Sequence, residues 1–208
     1  QYTATEIYLL VNNSNKIQVI DKSTYKIKAT IPINQPRQME IIGNKAFVSR
    51  MYTNQLSVID LTTHTVIQNI TLPYSNSEGM CQVDNRLFVT TWDVIAQQIF
   101  EIDPSTYAVT PINIQTNAPH SIVVDKHKNL WVFAGNTTSG IASKIVVINT
   151  QNHVILKTIS FESQAEMIKP CMNPTADTVY YIGVNYNGTQ TFNGIYRTAI
   201  TDSVFNNQ

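Results

Sequence analysis

The chain has 208 residues, 43% of them hydrophobic and 13% charged, which is enough for one sizeable core. Fourteen Lys and Arg balance fourteen Asp and Glu, so there is no basic field to gather phosphates and a nucleic-acid partner is disfavoured. Charge use is about half the usual fraction, with Asn, Thr, Gln and Ser supplying the polarity, which suits an extracellular or periplasmic β protein.

The longest apolar stretches, such as Ile145-Val146-Val147-Ile148, are of strand length, so no transmembrane segment is expected. Gln1 opens directly into ordered-looking sequence without a signal peptide, although a precursor can carry one that is absent here. Cys81 and Cys171 lack metal-type spacing and read as two buried thiols in strands, with a bridge between them as the alternative.

In chain order, residues 7–11 read as a strand and lead to the run Ile17-Gln18-Val19-Ile20-Asp21. That run returns as Leu56-Ser57-Val58-Ile59-Asp60, Ile99-Phe100-Glu101-Ile102-Asp103 and Ile145-Val146-Val147-Ile148-Asn149. The terminal residues stand 39, 43 and 46 positions apart, a period in the β-propeller range. Each run meets the same punctuation: Asp21-Lys22-Ser23-Thr24-Tyr25, Asp60-Leu61-Thr62-Thr63-His64, Asp103-Pro104-Ser105-Thr106-Tyr107 and, more loosely, Asn149-Thr150-Gln151-Asn152-His153. An Asp or Asn at the start of such a turn accepts hydrogen bonds from backbone two residues on and closes a hairpin. Return strands follow at 26–33, 66–72, 109–114 and 154–161.

Ahead of each later run sits another strand pair. Residues 39–42 turn at Gly43-Asn44 into 46–49, residues 80–83 turn at Asp84-Asn85 into 87–90, and residues 122–125 turn through 126–129 into 130–133. Gly, Asn and Asp tolerate the positive φ that tight hairpins demand. The near-continuous apolar character fits strands sandwiched between neighbouring sheets, and no helical period occurs. The expectation is an all-β chain: a β-propeller of four-stranded antiparallel blades, each running A to D from the inside outward. Blade parts fall at 7–33, 39–72, 80–114, 122–161 and 172–200 within a single domain, 1–208. Three blades are complete and two partial, so the chain is expected to be part of a larger propeller, with a blade shared between the termini as the alternative.

The blades resemble YVTN-type surface-layer propeller repeats through Lys45-Ala46-Phe47-Val48-Ser49, Gln55 to Asp60, and Val66-Ile67-Gln68-Asn69-Ile70. More narrowly, the chain is similar to Bacteroidota cell-surface propellers that include cobalamin-capturing surface lipoproteins. That match rests on Gln35-Pro36-Arg37-Gln38-Met39, Ser77-Glu78-Gly79-Met80, Asp177 to Ile182 and Gly194-Ile195-Tyr196-Arg197. The resemblance implies seven blades, a cell-surface or periplasmic location, and a corrinoid as the most specific ligand. It also suggests a small-molecule ligand or an outer-membrane transporter or envelope protein as partner.

In such a blade the D-to-A and B-to-C loops share one face, and variable loops on a rigid scaffold are where binding sits. Aligning the A strands on Met39, Met80, Ile122 and Met172 places Arg37, Glu78, His120 and Pro170 two positions earlier, with Lys169 adjacent. These side chains are expected to converge at the mouth of the central channel. The B-to-C loops add Arg50, Tyr52, Trp92, Asp93, Asn136, Asn185 and Tyr186 as candidate ligand-binding residues. Two plainer roles compete: Arg37 paired with Glu78 as a plug, and Trp92 as a core residue.

No catalytic constellation or cofactor site is expected. His64 and His153 fall in C-to-D turns and His127 in an A-to-B turn, on the face opposite His120, so no metal cluster is predicted. Ser121 follows His120, but strand neighbours point to opposite sides. The seven glycines form no phosphate cradle. A non-enzymatic binding propeller is the first expectation and a structural module of an envelope assembly the second. The third is a metal-dependent lyase like the propellers that open cyclic antibiotics, using Glu78 and His120.

Overall fold

The computed structural model describes residues 1–161, 165–185 and 193–204. Among the described residues, eighteen strands form five antiparallel sheets, and within each sheet strands pair with their sequence neighbours. The first sheet holds β1 (Glu6–Val11), β2 (Lys16–Asp21) and β3 (Ile27–Pro32). The second runs through β4 (Pro36–Ile42), β5 (Lys45–Arg50), β6 (Gln55–Asp60) and β7 (Thr65–Thr71). The third runs through β8 (Ser77–Val83), β9 (Arg86–Thr91), β10 (Gln98–Ile102) and β11 (Val109–Asn113). The fourth comprises β12 (Pro119–Val124), β13 (Asn129–Asn136), β14 (Ile141–Asn149) and β15 (Ile155–Ser160). The last holds β16 (Glu166–Met172), β17 (Thr178–Val184) and β18 (Gly194–Ala199).

There is no single central core. Four apolar layers lie between successive sheets, because both faces of an inner sheet are covered by its neighbours. Tyr8, Ile17, Val19, Ala46 and Ile59 join the first two sheets, and Phe47, Val58, Leu87 and Phe100 the next pair. Phe88, Ile99, Leu130 and Val146 fill the third layer, and Trp131, Phe133, Val179 and Tyr181 the fourth. This double-sided burial is why β5, β6, β9 and β13 read as continuous apolar runs.

The hairpin punctuation closes as its sequence demands. Asp60 Oδ1 accepts from Thr62 N at 2.8 Å and Thr63 N at 2.9 Å, and Asp21, Asp103 and Asn149 repeat the pattern. The fifth turn residue always takes a left-handed φ: Tyr25 at 56°, His64 at 54°, Tyr107 at 62° and His153 at 59°. In three turns this side chain reaches back to the preceding sheet. His64 Nε2 lies 3.1 Å from Glu6, His153 Nε2 lies 2.7 Å from Glu101, and the Tyr107 ring meets Phe47 at 6.5 Å between centroids. The turns therefore clasp neighbouring sheets as well as closing hairpins.

Neither cysteine forms a disulfide, and the expectation of two buried thiols is corrected. Cys81 is partly buried, whereas Cys171 is exposed on β16. The strand pairing puts both at equivalent positions on sheets separated by a third, so they cannot meet.

Candidate functional site

The site grows out of a fault that recurs in the inner strands. β4, β8, β12 and β16 lie side by side, and each carries a β-bulge near its start. The register slips between Pro36 and Met39, Ser77 and Met80, Pro119 and Ser121, and Ile168 and Cys171. One extra residue leaves the ladder unpaired there and re-aims side chains. The re-aimed residues meet in a recess of about 190 Å³ lined by Arg37, Glu78, Trp92, His120, Ser121, Ile168 and Lys169.

Arg37 and Glu78 join as a two-pronged ion pair between adjacent sheets. Arg37 Nε donates to Glu78 Oε2 at 2.8 Å, and Arg37 Nη2 donates to Oε1. Glu78 is only 8% exposed, and donating hydrogen bonds to it raises the pKa of Arg37. Ser49 ties the pair to the frame: its hydroxyl donates to the Glu78 carbonyl at 2.9 Å and accepts from Gln38 N at 3.0 Å.

His120 is 3% exposed. Burial pushes its pKa down to about 3, with the positive charge of Lys169 acting in the same direction, so the imidazole is neutral at physiological pH. Its Nδ1 lies 2.9 Å from Ser121 Oγ, and its Nε2 has no hydrogen-bond partner among the described residues. The Trp92 ring stands 5.7 Å from it between centroids, and Trp92 Nε1 is also unpartnered. A Cβ on Gly79 would come within 2.9 Å of Ser121 Cα, so the close approach of β8 to β12 requires glycine.

Of the candidates read from sequence, Arg37, Glu78, Trp92, His120 and Lys169 line the recess. Two points need correction. Ser121 shares the recess with His120 because the bulge breaks strand alternation. The Met172 alignment is two residues late: Met172 pairs with Val179 as Ile41 pairs with Ala46, so Ile168 holds the Arg37 position and Pro170 holds that of Met39. Lys169 enters beside Ile168 with φ 55°. Ile168 and Ser121 are the lining residues missed, and the Met167-Ile168-Lys169-Pro170 spacing was the signal for the first.

The remaining candidates serve the loops around it. Arg50 is tied to Asn34 O at 3.0 Å and Gln55 at 3.2 Å. Tyr52 is 76% exposed with φ 57°. Asp93 Oδ1 accepts from Ile95 N, Asn136 caps a short 3₁₀ turn through Ser139 N, and Asn185 N donates to Asn193. Tyr186 lies outside the described residues. Among the described residues no three His, Cys, Asp or Glu side chains gather as a metal needs.

No protein family matches the chain by sequence pattern, and no curated protein matches it. Solved structures do. A chain of the Kuenenia stuttgartiensis hydrazine synthase superposes with a TM-score of 0.80 at 11% identity, covering 96% of this chain and 64% of that one. A chain of a mitotic checkpoint complex gives 0.76 at 10% identity over 96% and 61%. The WD40 propeller domain of Doa1 gives 0.69 at 8% identity over 88% and 59%. The fold is a β-propeller. The present chain spans about three-fifths of the length of these propellers. At such identities the likeness concerns architecture alone, and it leaves the YVTN and Bacteroidota resemblance without support of its own. The five sheets are blades, and the recess lies against the inner strands at the end where D-to-A and B-to-C loops emerge.

Proposed function

We propose that this propeller is a non-catalytic binding module that captures a ligand at the recess between its second and fifth blades. One observation carries the reading: four consecutive blades each deliver a bulge side chain to one recess, and two of its lining residues, Trp92 and His120, hold buried nitrogens with no partner among the described residues. Buried polar atoms without partners are uncommon and each costs about 1–3 kcal/mol. A binding role rationalises that cost, because a ligand can supply the missing partner. An imidazole whose pKa is near 3 is a poor general base at neutral pH, and Glu78 is already committed to Arg37. Both points weigh against the lyase alternative.

A corrinoid is the candidate that the sequence resemblance brings, together with a cell-surface or periplasmic setting. The recess, at about 190 Å³, falls below the roughly 300–1,000 Å³ of typical ligand pockets, so a corrinoid would have to lie across the mouth. The test is tryptophan fluorescence under titration with cobalamin and a library of small polar metabolites. Trp131 is buried with Nε1 bonded to Asp125 and provides a constant background, so a saturable response abolished by Trp92→Phe locates the ligand. Absence of any response across the library sinks the reading.

Docking of an envelope partner is the second reading, favoured by exposed Tyr52, Val94 and Ile95 on the B-to-C loops. It predicts no small-ligand response and loss of a defined outer-membrane complex on Ile95→Ser.

A further inference from the structure

Resting on the binding reading above, we infer that the recess selects a small organic carboxylate. Its charges sum to a single positive one, because Glu78 neutralises Arg37 and Lys169 brings an ammonium with no opposing acid among the lining residues. Its spare hydrogen-bonding groups are mostly donors. Trp92 Nε1 can only donate, as can the Lys169 ammonium. In the tautomer in which the Ser121 hydroxyl donates to His120 Nδ1, the imidazole proton sits on Nε2, and the second orphaned nitrogen is a donor as well; a carboxylate would select that tautomer. A neutral amide would present its own N–H groups to this set, whereas a carboxylate presents acceptors only.

Size and lining narrow the class. About 190 Å³ holds roughly six waters' worth of liquid volume, which suits an acid of a few carbon atoms. Ile168 and the Trp92 ring offer a short apolar wall for the carbon chain. Inorganic phosphate fits less well, since it has no apolar part and its second negative charge would meet Glu78. The two orphaned nitrogens are shielded from solvent, so the proposed binding requires the Trp92 ring to shift when a ligand enters. That shift makes the indole emission the reporter.

The experiment titrates the purified 208-residue chain with lactate and succinate, their amides lactamide and succinamide, and inorganic phosphate, following Trp92 emission and thermal midpoint. The expected result is saturable binding of at least one carboxylate, at least tenfold tighter than its amide and than phosphate. Lys169→Gln should weaken carboxylate binding at least fivefold, while Lys169→Arg restores most of it. Lys169 is exposed, so neither change threatens folding. Amides binding as tightly as acids, phosphate competing equally, or Lys169→Gln having no effect would overturn the carboxylate assignment. If only neutral library compounds bind, that assignment fails and the binding reading stands; if nothing binds, both fail.

Discussion

Gly79→Ala tests the packing on which the recess depends. An added Cβ would lie 2.9 Å from Ser121 Cα, 2.9 Å from Thr90 Oγ1 and 3.0 Å from the His120 carbonyl oxygen. Two of these neighbours are backbone atoms of β12, and the carbon contact is at least ~0.6 Å inside the ~3.5–4.0 Å optimum. β8 and β12 must separate, or the bulge must twist and turn His120 with it. Overpacking of this kind costs about 1–3 kcal/mol, against a gain of about 0.4–1 kcal/mol from the stiffer unfolded chain. The net loss of about 1–2 kcal/mol corresponds to a fall of roughly 2–8 °C in thermal midpoint for a chain of this size. Urea unfolding followed by circular dichroism measures the first quantity and calorimetry the second. A variant as stable as the parent, with unchanged Trp92 emission, would mean that the inner strands have slack and that the tight apposition described here is wrong.

Further predictions concern charge. Burial favours the neutral form of Glu6, but hydrogen bonds from Lys28, Tyr8 and His64 outweigh it and hold the pKa down to about 2. A depressed folded pKa gives stability that is present above the ordinary 4.5 and is lost as pH falls toward 2. Glu6→Gln should therefore flatten the acid limb between those values, read as unfolding midpoint against pH. Glu40 has the opposite sign, because burial raises its pKa to about 7. The folded chain keeps a proton that the unfolded chain releases above 4.5, so this contribution is present at low pH and lost as pH rises through 7. Glu40→Gln should raise the midpoint at pH 8 and leave it nearly unchanged at pH 4; equal shifts at both would refute the assignment. Glu78→Gln removes the buried half of the Arg37 pair and should cost about 1–3 kcal/mol in urea unfolding. His153→Ala, which releases Glu101 from the fourth blade's turn, should cost about 1 kcal/mol, with faster amide exchange in β10 and β14.

The repeat is legible in sequence because its causes are local. Asp21, Asp60 and Asp103 close their turns with backbone two and three positions away, and Asp84-Asn85 supplies two left-handed residues to one hairpin. Apolar runs of fixed spacing then leave few ways to bury both faces of each sheet, and the all-β propeller follows. Placing Arg37, Glu78 and His120 near one another needed only that arrangement and a count of two residues before strand A. His64 and His153 are different: their turn position was plain, but the glutamates they grip lie 58 and 52 residues away, and no local pattern points to them.

What the tertiary structure alone decided is the chemistry at the mouth. A bulge arises when two strands choose a register, so the shared orientation of His120 and Ser121 and the place of Lys169 at the recess depend on β13 and β17 as much as on β12 and β16. The spacing between blades brings Glu78 within hydrogen-bonding reach of Arg37, so the two pair at the mouth. The orphaned nitrogens of His120 and Trp92 follow from the same packing. Residue types set which groups are available there; only the meeting of separate sheets determines which of them are left without partners.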